Sequence, residues 1–203
     1  MNQQLRRTVL TLSGLSAAVV ACGGIYLAST QSAASNRTIA IKITGGFETD
    51  RRDGGRPVVL IAAALGVPTD VFRRAFSGVT PARDREPDPE QVRRNKDALL
   101  SVLAQYGITN GRLDTVSDFY RYNRRRGEMW RNTPASGYAF VSHGKVVGFK
   151  ITNAGSGYSS IPTVSVPGFD DFSATVTVNY TKRFETNGSI SLITLATAKK
   201  VKD

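Results

Sequence analysis

Cysteine is nearly missing. Cys22 is the single one in 203 residues, so no internal disulfide can form and no cysteine cluster can hold a metal. Histidine is as scarce: His143 stands alone, which leaves histidine-based triads little to draw on. Acidic residues are also in short supply, 16 Asp and Glu against 27 Lys and Arg, for a formal net charge of +11 at pH 7. That excess points to anionic partners. With no cross-link to rely on, stability has to come from packing.

What is present begins with Arg6 and Arg7, followed by an uncharged apolar run from Thr8 to Val20 that ends in Val19-Val20-Ala21-Cys22-Gly23. This end resembles the lipobox of bacterial lipoproteins. The resemblance implies that Cys22 is acylated and becomes a new N-terminus, anchoring the protein to a membrane on its outer side, facing periplasm or cell exterior. Two other readings stay open. Ala21, with Val19 two residues before it, also suits ordinary signal cleavage and a secreted soluble protein. Thr8 to Ala28 is also long enough to span a bilayer uncleaved, although Ser13, Gly14, Ser16, Gly23 and Gly24 make it a poor span. Arg6-Arg7 partly resembles a twin-arginine signal, but Leu5 stands where that family prefers Ser or Thr. Losing Arg6 and Arg7 with the leader lowers the basic count from 27 to 25 against 16 acids, a charge of +9. In an exported protein this charge suits lipid headgroups, anionic polysaccharide or an envelope protein, and nucleic acid is not expected.

The pattern divides the chain into a leader (1–22), a Ser-, Thr-, Gln- and Gly-rich flexible tether (23–56), a helical unit (57–131) and an antiparallel β unit (132–203), an α+β class with a sandwich- or barrel-like second half. Within the tether, Ile39, Ile41 and Ile43 alternate with polar residues and offer a short strand to a later sheet. Four helices are predicted: an apolar Val58–Leu65 between Pro57 and Gly66, one opened by Pro68-Thr69 and closed by Gly78, one capped by Asp88 with Pro89 first and Gln91 completing a capping box, and one from about Thr109. After Ser136 the period switches to two. Strands over 138–142 and 145–151 flank a His143-Gly144 turn, and three more over 161–166, 173–181 and 189–195 complete a predicted five-strand sheet.

Two stretches stand out. Gly155-Ser-Gly157-Tyr158-Ser-Ser-Ile-Pro162-Thr-Val164 resembles a short β-module of bacterial surface proteins and phage tail or fibre proteins, whose shared property is structural. Either Tyr158 and the surrounding amides are presented to a ligand, or the aromatic packs over a tight turn. The second stretch, 120–131, holds five arginines and one acid, whereas 57–119 carries eight of each sign. Arg124, Arg125 and Arg126 with Trp130 suit clamps for phosphate or carboxylate; the competing reading is a solvated linker with its aromatics tucked inward. Asp84-Arg-Glu86-Pro-Asp88-Pro-Glu90 lacks the glycine and closing acid of a calcium loop, so neither a metal nor another cofactor is expected. Asp118 and Glu128 are the carboxylate pair open to a hydrolase. Three sequons, at Asn36, Asn179 and Asn187, matter only in a eukaryotic host. The expectation is a non-catalytic envelope lipoprotein that binds through Arg124, Arg125, Arg126, Trp130 and Tyr158; the alternatives are an assembly subunit pairing through a sheet edge, or a hydrolase.

Overall fold

A computed structural model describes residues 36–80, 88–123 and 126–196, which belong to one compact unit. Cys22, Arg124, Arg125 and most of the acidic run at 84–90 lie outside the described residues. The fold is α+β. Two short strands, β1 (Arg37–Ala40) and β2 (Lys42–Thr44), precede four helices, α1 (Val58–Leu65), α2 (Thr69–Ser77), α3 (Pro89–Leu103) and α4 (Asn110–Phe119). Five strands follow: β3 (Ser136–Ser142), β4 (Lys145–Asn153), β5 (Thr163–Ser165), β6 (Ala174–Asn179) and β7 (Ser189–Leu195).

The helices start and stop where the chain chemistry requires. Gly66, at φ 78°, closes α1 by donating its N–H to the Ala62 and Ala63 carbonyls. Asp88 caps α3, its carboxylate accepting from the Gln91 N–H at 2.7 Å, and Thr109 caps α4 through the Arg112 N–H at 3.2 Å. Gln91 departs from the expected capping box. Its side chain is buried and donates from Nε2 to the Thr80 carbonyl at 3.1 Å, where Asn95 Nδ2 also donates at 2.8 Å. The start of α3 is thereby stapled to the segment leaving α2.

The expected single five-strand sheet is three small antiparallel sheets, ordered β1-β3-β4, β2-β5 and β6-β7. Pro162 and Pro167 flank β5 and hold it to three residues, because proline supplies no ladder donor on either side. Residues 37–44 are not tether. Ile39 pairs opposite Ala139 and Ile43 opposite Val164, so alternation here marks strands whose partners lie about a hundred residues later. A buried ion pair fixes the turn that follows: Asp53, 8% exposed, accepts from Arg73 Nε at 2.8 Å and Nη2 at 2.9 Å.

The main core gathers around α1, whose Leu60, Ala62 and Ala64 are completely buried, with Phe72, Leu103, Leu113, Val116, Tyr120 and Trp130. Phe47, Tyr180 and Phe184 pack on it from outside the helices. The helical and β segments therefore share a core, and the boundary drawn at residue 131 does not separate independent bodies. Asn187, with no exposed surface, is the clearest tie: Nδ2 donates to the Leu60 carbonyl at 2.7 Å and the Tyr120 hydroxyl at 2.8 Å, and Oδ1 accepts from the Thr181 N–H at 3.1 Å. Burial pushes the Tyr120 hydroxyl up to about 12, outweighing the Asn187 hydrogen bond and the Arg112 charge, which both act to lower it.

Candidate functional site

The Gly155–Pro162 stretch is a junction within the protein. Gly155 and Gly157 have φ of 63° and 83°, and a Cβ on either would stand 2.5 Å from the Thr133 carbonyl or 2.8 Å from the Arg131 carbonyl. Only glycine lets the two backbones approach so closely. Six consecutive amides are all spent internally: Gly155 N–H donates to Asn153 Oδ1, Ser156 to Thr133, Gly157 to Asn187, Tyr158 to Gly188, and both Ser159 and Ser160 to Gly46. The Glu48 carboxylate accepts from the Ser160 hydroxyl and the Gly46 N–H, which holds it below the usual range. Tyr158 is 3% exposed, its ring stacked on Phe47 at 4.9 Å and its hydroxyl accepting from the Ala135 N–H at 2.9 Å. The expectation that Tyr158 and these amides face a ligand is corrected: no surface is left to them.

Trp130 is corrected on the same ground. At 4% exposure it donates from Nε1 to the Gly157 carbonyl at 2.9 Å and meets Tyr122 edge to face at 5.5 Å. An indole N–H needs a partner when buried, and the glycine turn provides it. Of the remaining expected contact residues, Arg126 is exposed.

The aromatic platform of the basic stretch lies elsewhere. Phe119, the last residue of α4, stacks on Phe184 with ring centres 4.0 Å apart and planes 6° off parallel. The Arg131 guanidinium lies over Phe119 at 5.2 Å, and that of Arg112 over Phe184 at 5.3 Å. These two arginines differ in what they do. Arg112 donates to the Ala64 carbonyl at 2.6 Å and the Lys182 carbonyl at 3.1 Å, neutralising the C-terminal end of α1. Arg131 is exposed, and no carboxylate among the described residues pairs with it. Nearby, Arg121 pairs with Asp118 at 2.8 Å and Arg183 with Glu185 at 3.8 Å. A guanidinium held over a ring face by cation–π attraction still has N–H groups to offer an oxyanion. Sequence reading missed Phe119 and Phe184 as a platform. The only signal was Phe184 isolated between Arg183 and Glu185 in a polar loop.

The hydrolase pair has local uses. Asp118 holds Arg121, and Glu128 accepts from the Asn123 N–H at 2.7 Å, both on exposed surface. Among the described residues no three His, Cys, Asp or Glu side chains gather as a metal site, and no helix is long and apolar enough to cross a membrane. No known family, curated protein or solved structure matches the chain.

Proposed function

We propose that the protein is a non-catalytic, lipid-anchored module of the cell envelope that holds a phosphate-bearing surface through Arg131 and its neighbouring arginines. The observation that carries this reading is Arg131 lying over the Phe119–Phe184 stack with no acidic partner among the described residues. Stacking fixes the side chain before binding, so less rotamer entropy is lost on contact. Arg126 and the flanking arginines at 124 and 125 add charge to the same sequence stretch, and the lipobox-like end at Cys22 would bring the module to a membrane face rich in phosphate headgroups.

The test is co-sedimentation of the full chain with phosphatidylglycerol-containing and pure phosphatidylcholine vesicles. The difference between the two is the readout, since any apolar insertion is common to both. Arg126→Ala with Arg131→Ala should cut the anionic preference by about thirtyfold at low salt, each of the two lost phosphate contacts counting roughly 1 kcal/mol. An unchanged preference sinks the reading. Intact mass of membrane-extracted protein reports whether Cys22 carries acyl chains.

A further inference from the structure

A concavity separate from the arginine face opens between three segments: the β3–β4 turn with His143 and Lys145, the turn carrying Asp170 and Asp171, and the end of β7 at Leu195 and Ala196. Its volume, about 740 Å³, falls inside the ~300–1,000 Å³ range of small-molecule sites. The walls are built, not loose. The Ala196 N–H donates to the Ser173 carbonyl at 2.8 Å, the Phe169 N–H to the Val166 carbonyl at 3.0 Å, and Phe172 packs against Phe149 with ring centres 5.9 Å apart.

Among the described residues, no ion pair matches the charges of this cleft. His143, Lys145, Asp170 and Asp171 are all exposed, and none forms an ion pair among the described residues. The turn supplies a second observation. His143 sits at φ 50° and Gly144 at φ 72°, the pair of left-handed conformations that a two-residue hairpin turn fills most cheaply with Asn-Gly or Gly-Gly. Histidine adopts this left-handed conformation more readily than most side chains, and the turn sets its imidazole at the rim of the cleft. Its Nδ1 is already engaged with the Ser142 hydroxyl at 2.9 Å, so Nε2 is the ring atom left for an outside partner.

We infer that this cleft binds a small zwitterion, its ammonium group held by Asp170 and Asp171 and its carboxylate or phosphate held by Lys145 and His143. A ligand of one sign would leave half of the cleft's charge unanswered, while a molecule with both ends satisfies each set with charge-assisted hydrogen bonds.

The experiment is an amide NMR titration of the full chain with alanyl-alanine as probe, alongside its N-acetylated form and its C-terminal amide. Alanyl-alanine should give saturable shifts at Gly144, Gly168 and Ser173, and each blocked form should bind at least about tenfold more weakly. Asp170→Asn with Asp171→Asn should abolish the response to the parent peptide. Both side chains are exposed, and retention of the remaining amide spectrum verifies that the variant is folded. Shifts that do not saturate, that fall away from the cleft, or that are as large with either blocked peptide would overturn the inference. Because no arginine of the 121–131 stretch is involved, loss of vesicle binding leaves this result intact, and the converse holds too.

Discussion

The two stretches that stand out in the sequence, 155–162 and 120–131, both mix aromatics with polar or charged groups, yet the fold treats them oppositely. In the first, every amide from 155 to 160 and the Tyr158 ring are consumed inside the protein. In the second, the chain splits its own composition: Trp130 goes inward to the glycine turn while Arg131, one residue later, stays out over Phe119. Distinctiveness in sequence therefore marks two unlike demands, a backbone that must pass close to another backbone and a charge that must stay wet. The difference is measurable as stability on one side and binding on the other.

Trp130→Ala should sharpen the contrast most. It empties a core position and leaves the Gly157 carbonyl without its donor, so urea unfolding should show a loss of about 3–5 kcal/mol. Asn187→Ala comes next, at about 3 kcal/mol by the same measurement, since the Leu60 carbonyl, the Tyr120 hydroxyl and the Thr181 N–H all lose a buried partner. High pH probes that knot without mutation. The Tyr120 hydroxyl titrates near 12 when folded, against 10.0 ordinarily. Its neutral form is thus favoured by the fold, and a contribution on the order of 2 kcal/mol is whole below pH 10 and declines as pH rises toward 12. Stability curves of Tyr120→Phe should lack that decline; an identical decline would place its origin elsewhere.

The arginine side should respond in the other currency. Arg131→Ala removes one exposed stacking contact and should lower the melting free energy by less than about 1 kcal/mol while reducing the preference for anionic vesicles. A large stability loss there would erase the distinction between the two stretches. The smallest effect is expected at the hairpin: His143→Asn relieves the left-handed cost and should stabilise by about 0.5 kcal/mol, seen as a small rise in urea midpoint.

Much of the fold was legible because its punctuation is local. Pro57 and Gly66, Asp88 and Pro89, Thr109, and His143-Gly144 each bound an element within a residue or two of its observed end. Alternation of Ile39, Ile41 and Ile43 offered a strand only as an alternative to a tether, because periodicity says which face is buried and not what lies opposite, and the partners at Ala139 and Val164 were invisible. The same blindness explains the site. Tyr158 and Trp130 looked available because nothing local shows that Phe47 and the Gly157 carbonyl will cover them. Phe119 and Phe184 went unread as a platform because their stack forms only across 65 residues of chain.

The buried amide of Asn187 also bears on how the protein can be made. That asparagine opens the triplet Asn-Gly-Ser, and both of its amide hydrogens are committed to Leu60 and Tyr120. A eukaryotic secretory pathway would meet the triplet before the chain closes, and a sugar added then could never be accommodated. Secreted material from such a host should carry glycans at the exposed Asn36 and Asn179 and lack them at 187, with chains modified there retained as misfolded product. Bacterial production avoids that loss at its source.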